Sequence, residues 1–432
     1  MDLAHPHDGS DDHVKFVSTR GVAASVGIAE ALEKGLASDG GLFVPENFPP
    51  LDLQKLAGKT ALAEIGAEIL RPFFSGDTRL AEALPEITRE AFSFPTPVVP
   101  APGRRGDFIL ELYHGPTSAF KDVGARFLAS ALTRGIGARG TVIVATSGDT
   151  GGAVAGAFFG KPGIDVVILF PKGMVSPRQE AQLCAWGGNI RAFAVDGNFD
   201  DCQRVVKEAL LDRDGPRNWL SANSINLGRI FPQMVYYAKS ALEHPGAGFI
   251  IPTGNLGNAL AAFWAKKIGL PLGPIVFALN ANRGIADYVA GREFGDAKTV
   301  ATLANAMDVG SPSNLERLRN LAPELKAMRA ESVSDEEIRA EIRSSEKEWG
   351  QPLCPHTATA AVARKRIGEN SGTREWILVS TAHPAKFESI VEPLIGHAIE
   401  VPAALAEILR RPAEKTEIAP RYADLLRELE QR

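Results

Sequence analysis

The stretch TVIVATSGDTGGAVAGAF (141–158) opens on a β-branched apolar run, passes through a turn rich in hydroxyls and glycine, and continues in small residues at helix length. An apolar run without polar alternation predicts a strand buried on both faces, which is the habit of parallel sheets. Working outward, the same kind of run recurs at FILEL (108–112), DVVILF (165–170), IRAFAV (190–195), GFIIP (248–252), PIVFALN (274–280) and EWILVST (375–381). Helical stretches lie between most of these runs, so strand and helix alternate and the class is α/β.

The first ninety or so residues read differently. AGKTALAEIGAEILRPFF (57–74) sets Leu62, Ile65, Ile69 and Leu70 at helical spacing, and the proline-rich FSFPTPVVPAPG (92–103) marks a boundary or crossover. From about 282 to 370 the chain turns helical again, as in SDEEIRAEIRSSEKEW (334–349). The expected organisation is a mostly helical N-terminal domain at 14–92, an α/β region of two lobes at 93–400, and a helical extension at 401–432.

A chain of 432 residues exceeds one small core and suggests two or three packing units. A net charge of -5 provides no basic field for nucleic acid or an anionic membrane, so an anionic ligand needs local donors. Cys184, Cys202 and Cys354 form no C-x-x-C pair, which argues against disulfides or structural zinc and fits a reducing cytoplasm. No apolar run approaches the roughly 20 residues of a membrane span. The opening MDLAHPHDGSDDH reads as a loose acidic tail without a signal-peptide pattern, and His5, His7 and His13 lack the supported spacing of a metal site, so no metal is expected.

In α/β sheets ligands collect where strands end and helices begin. Four such places carry chemistry. After FILEL comes LYHGPTSAFKDVGARF (112–127), where Lys121 starts a helical pattern beside Phe120, Val123 and Phe127. Apolar neighbours desolvate an amine and favour its neutral, nucleophilic form, although a lone lysine also fits a surface charge balanced by Asp122. The turn at Ser147, Gly148, Asp149, Thr150 and Gly151 offers a helix N-terminus to a carboxylate or phosphate; ordinary capping explains the same residues. PTGNLGNALAAFWAKKIGLP (252–271) repeats strand, glycine-rich loop and helix, and Gly254, Asn255, Leu256, Gly257 and Asn258 suit close approach of backbone N–H groups to a phosphate. Finally VSTAHPAKF (379–387) ends a strand in Ser380 and Thr381, either of which can meet a ring nitrogen or cap a helix.

The segment Gly135-Ile-Gly-Ala-Arg-Gly140 matches the dinucleotide pattern but precedes its strand, so the context is wrong. No nucleotide P-loop is present. An amine, a phosphate cradle, an anion turn and a partner for a heteroaromatic nitrogen are together what pyridoxal phosphate requires.

HGPTSAFKD (114–122), SGDTG (147–151), GNLGN (254–258), AMDVGSPSN (306–314) and TAHPAKF (381–387) are similar, in order, to the motifs of the threonine synthase family. FVSTRG (16–21) and GLASDGGLFVPE (35–46) resemble the amino-terminal domain of its longer members. The resemblance spans about residues 15 to 390 and implies a fold-type-II pyridoxal-phosphate enzyme. It implies a lyase that converts O-phospho-L-homoserine and water to L-threonine and phosphate, with a phosphorylated amino acid as small-molecule partner, in a cytoplasmic monomer or homodimer. By position it assigns Lys121 to the Schiff base, the 254–258 loop to the cofactor phosphate and Thr381 to the pyridine nitrogen. Ser147, Asp149 and Thr150 then lie where substrate or cofactor polar groups bind. Lys172, Arg178, Arg229 and Lys386 are candidate phosphate partners or plain surface charges, and His114 and His356 are candidates for catalysis that fit polar packing better. Cys354 departs from an expected Asp before Pro-His, a difference read as structural. The competing readings are a phospho-lyase releasing 2-oxobutyrate, a serine or threonine dehydratase, and a non-catalytic cofactor-binding protein.

Overall fold

The computed structural model describes residues 13–212, 215–295, 298–320, 328–368 and 372–431; His5 and His7 lie outside them. In chain order its strands are β1 (Phe16–Ser18), β2 (Phe43–Pro45), β3 (Val98–Pro100), β4 (Asp107–Glu111), β5 (Gly140–Ala145), β6 (Ile164–Pro171), β7 (Ile190–Val195), β8 (Trp219–Ser221), β9 (Gly248–Pro252), β10 (Ile275–Leu279), β11 (Arg329–Ser332), β12 (Trp376–Ser380) and β13 (Thr416–Ile418). Every run anticipated from apolar content forms a strand. The additional ones, such as β3 and β8, are three or four residues long and too short for a periodicity to register.

Among the described residues these strands make three sheets. β1 and β2 pair antiparallel. One larger sheet runs β11-β10-β9-β12-β4-β3, parallel except for the β3–β4 hairpin, and the other runs β13-β7-β6-β5-β8, parallel throughout. The proline-rich passage therefore holds the edge strand β3, where a missing N–H does no harm to the ladder. The segment after 400 is not wholly helical: β13 extends the second sheet beside β7.

Both faces of the parallel strands are covered, and β9, β10 and β12 are buried from end to end. The helix Leu62–Phe74 buries Leu62, Ile65, Ile69, Leu70, Phe73 and Phe74. Its Phe73 ring lies 4.8 Å from that of Phe231, so the N-terminal helices share one apolar cluster with the catalytic region. Each fully buried ring of this kind contributes about 1.5–3 kcal/mol by leaving water. The four strand-end loops all leave the carboxyl ends of parallel strands, at β4, β5, β9 and β12, and the chain's alternation between sheets brings these ends together.

Candidate active site

Lys121 is the first residue of the helix Lys121–Ser130. Its position is set by a contact with a distant strand end: Phe120 N–H donates to the Thr381 carbonyl at 2.8 Å, and Ala119 bridges Ala382. The approach bends the backbone, for Ser118 takes a left-handed φ of 55° and its carbonyl accepts from His383 N–H at 3.0 Å. Lys121 is half-buried, with Nζ 5.0 Å from the centre of the Phe120 ring. Burial first, then repulsion from Arg229 and Lys386 against the attraction of Asp149, brings the amine down to about 8.

At β9, Leu256 adopts φ 63° and leads into the helix Gly257–Lys267. A left-handed non-glycine residue costs about 1–3 kcal/mol and is held only by its surroundings. Here it turns the chain so that, among the described residues, nothing accepts from the backbone N–H groups of Gly254 through Asn258. A Cβ on Gly254 would stand 2.7 Å from Met307 Cα. Asn258 Oδ1 accepts from Tyr236 and from Tyr237, the latter at 2.8 Å, while its buried Nδ2 has no partner. Free backbone donors at a helix N-terminus, with an unused amide donor beside them, fit a phosphate.

Lys121, the 254–258 turn and Thr381 line one cavity together with Arg229 and His356. A second cavity is lined by Ser147, Asp149 and Thr150, with Phe199, Gln203 and Asn223. Lys121, Asp149, Ser224, Asn255 and Ala306 belong to both. The Thr146 hydroxyl accepts from Gly148 and Gly151 N–H at 2.9 Å each, which forms the turn before the helix Asp149–Phe158.

Asp149 is itself engaged. Lys386 Nζ lies 2.8 Å from Asp149 Oδ1, and Gln179 Nε2 donates to the same oxygen at 3.1 Å. Burial would raise this carboxyl, but Lys386, His356 and Gln179 together hold it below its usual range. His356 Nε2 accepts from Ala306 N–H at 3.2 Å; burial, which outweighs the pull of Asp149, brings it down to about 4, so the ring is neutral. His114 instead pairs with Glu111 at 2.7 Å and lines neither cavity.

Of the four candidate cations only Arg229 reaches the cavity wall, and it is buried, not a surface charge. Lys172 pairs with Glu417, Arg178 donates to the Ala385 carbonyl, and Lys386 serves Asp149. The residues Asn223 and Ser224 were not legible beforehand. They follow β8, whose three residues gave no strand signal from which a strand end could be placed.

Two parallel lobes meeting at a lysine, a turn with free backbone donors and a strand-end hydroxyl define a pyridoxal-phosphate-dependent enzyme of fold type II. A family model described as pyridoxal-phosphate dependent enzyme matches residues 90–381, one for the threonine synthase N terminus matches 15–92, and one for the threonine synthase C-terminal part matches 357–429. Threonine synthase of Escherichia coli is 39% identical over 397 residues, covering 88% of this chain and 91% of that protein; the Saccharomyces cerevisiae protein is 32% identical, covering 85% and 86%. The Escherichia coli threonine synthase crystal structure superposes with a TM-score of 0.89 at 36% identity, covering 96% of this chain and 99% of the other. The pyridoxal-phosphate-bound threonine synthase from Brucella melitensis gives 0.86 at 34%, covering 97% and 99%. The chain belongs to the threonine synthase family.

Proposed function

We propose that the protein converts O-phospho-L-homoserine and water to L-threonine and phosphate. The observation that carries this reading is the pair of joined cavities with Lys121 on their common wall, one backed by the free N–H groups of 254–258 and the other by the 147–150 turn. Lys121 would hold the cofactor covalently, Gly254, Asn255, Leu256, Gly257 and Asn258 would hold its phosphate, and Thr381 would serve its ring nitrogen. When bound, pyridoxal phosphate supplies an electron sink for charge developing beside an amine-bearing carbon.

The rest of the chemistry belongs to the chain. With its amine at about 8, Lys121 exchanges a proton near neutral pH and serves as base and acid at neighbouring substrate carbons. A neutral hydroxyl at Thr381, unlike a carboxylate, would not hold the ring nitrogen protonated, which would weaken the sink and favour elimination with replacement. Ser147, Asp149 and Thr150 place the substrate's anionic group at a helix N-terminus. The paired state of Asp149 keeps an unshielded negative charge away from that group.

The three cysteines are buried and unpaired, and among the described residues no helix is long and apolar enough to cross a membrane; both suit a cytoplasmic biosynthetic enzyme. We infer a monomer or homodimer without nucleic-acid partners, organised as units at 14–92, 93–400 and 401–432. Incubation with O-phosphohomoserine and identification of the organic product tests the activity. Threonine with stoichiometric phosphate is expected; 2-oxobutyrate without threonine would overturn the reading.

A further inference from the structure

Arg317 is 1% exposed, and among the described residues it contacts no carboxylate within hydrogen-bonding distance. Its neighbour Glu316 is engaged elsewhere, accepting from Arg20 at 3.0 Å and from Thr19 Oγ1 at 2.8 Å. A buried guanidinium without a counter-charge is costly unless its donors are met. All of its groups go to oxygen: Nε to the Phe43 carbonyl at 2.9 Å, one terminal nitrogen to Asn314 Oδ1 at 2.8 Å, and the other to the Ile225 carbonyl at 2.5 Å.

Those acceptors are not scattered. Asn314 passes the connection on, its Nδ2 donating to the Asn255 carbonyl at 3.0 Å and to the Ser224 carbonyl at 3.2 Å. Asn255 is further fixed by Ser313 N–H, which donates to Oδ1 at 2.6 Å, and by its own Nδ2, which donates to Ser224 Oγ at 2.7 Å. Phe43 begins β2, within the 15–92 match to the threonine synthase N terminus. An unbroken hydrogen-bonded chain thus runs from the N-terminal segment through Arg317 and Asn314 to the middle of the phosphate turn. It also brings a fixed positive charge to the rear of that turn, where a bound phosphate would be stabilised by it.

We propose that Arg317 is a positioning residue for the cofactor, holding the 254–258 turn in its phosphate-binding shape through Asn314 and tying that shape to the N-terminal segment at Phe43. The proposal rests on the 254–258 turn being the cofactor-phosphate site. It gives the N-terminal unit a role in cofactor retention although no residue of that unit lines either cavity.

The test uses full-length protein, wild type and the variants Asn314→Ala, Arg317→Met and Arg317→Lys, each resolved of cofactor and titrated with pyridoxal phosphate. Visible absorbance reports binding, and the rise in melting temperature on adding cofactor is compared with the melting temperature of the cofactor-free protein. Losing one oriented hydrogen bond behind the turn should weaken cofactor binding about tenfold in Asn314→Ala. Arg317→Met should weaken it further and Arg317→Lys should restore part of the loss, with the cofactor-induced rise in melting temperature shrinking in the same order. Variants that melt lower but keep wild-type cofactor affinity and the wild-type rise would overturn the proposal, leaving a purely structural arginine. Should Arg317→Met not fold, Asn314→Ala decides alone, because it leaves the arginine's bonds to Phe43 and Ile225 in place. A wild-type protein that binds no pyridoxal phosphate would refute the cofactor-site reading itself.

Discussion

Lys386 and Asp149 form a buried ion pair at 2.8 Å, the lysine also donating to the Thr117 carbonyl at 2.9 Å, with both side chains almost wholly withdrawn from water. The pair stands beside Lys121 and balances it, Asp149 raising the amine and Lys386 lowering it. Replacing Lys386 by Met strands a buried carboxylate, and such losses cost about 3–5 kcal/mol. Urea unfolding at neutral pH should show that loss, and adding Asp149→Asn in the same chain should recover part of it. Asp149 is held below its unfolded value, so its contribution is present above that value and disappears as pH falls through the folded one. In Lys386→Met burial instead raises the carboxyl, so the stability gap between variant and wild type should be widest near neutral pH and should shrink as pH falls and Asp149 takes up a proton.

His356 carries a linkage of the same sign in a higher pH window. Its folded value is about 4 against an ordinary 6.5, so the unfolded chain takes up a proton that the folded chain refuses. Stability is full above about 6.5 and declines as pH falls toward about 4, with His383, also brought to about 4 by burial, acting the same way. His356→Gln keeps an acceptor but does not titrate; urea midpoints measured across this window should vary less steeply than in the wild type.

Two glycines of the 254–258 turn should respond differently to alanine. At Gly254 the added Cβ meets Met307 backbone at 2.7 Å, so Gly254→Ala must displace the 304–308 segment and lower stability even without cofactor. At Gly257 nothing lies nearer than 3.7 Å, so Gly257→Ala should fold within about 0.5 kcal/mol of wild type. Its pyridoxal-phosphate affinity should nonetheless fall if the proposed phosphate site lies at this turn. Equal affinity in Gly257→Ala and wild type would argue against that placement.

Cys354 caps the helix Pro355–Ile367, Sγ accepting from Thr357 N–H at 3.5 Å. Sulfur is a weak acceptor, and a hydroxyl caps a helix more strongly. Cys354→Ser should raise the melting temperature modestly. Burial pushes the thiol up, so native protein should leave Cys354 unmodified by thiol reagents that react after denaturation.

What could be read from the chain depended on how local each signal was. Lys121, the 254–258 turn and the 147–151 turn each announce themselves by a strand run directly before and a helix directly after. Arg229 and Lys386 do not, because burial of a cation is decided by partners far along the chain: Thr117 and Asp149 for Lys386, Ala222 and the surrounding core for Arg229. The same holds for Arg317, whose acceptors at Phe43 and Ile225 are 274 and 92 positions away. Strands of three residues such as β8 escaped for a different reason, since a period of two needs more residues than that to be seen.

The contact between Phe120 and Thr381 also has a temporal side. The lysine loop is synthesised early, while the strand end that fixes it comes only in the last part of the chain. Until that strand end has been made, a growing polypeptide cannot close this non-local pairing. This pairing must therefore wait for near-complete synthesis, and fragments ending before β12 carry Lys121 without the strand end that fixes its loop.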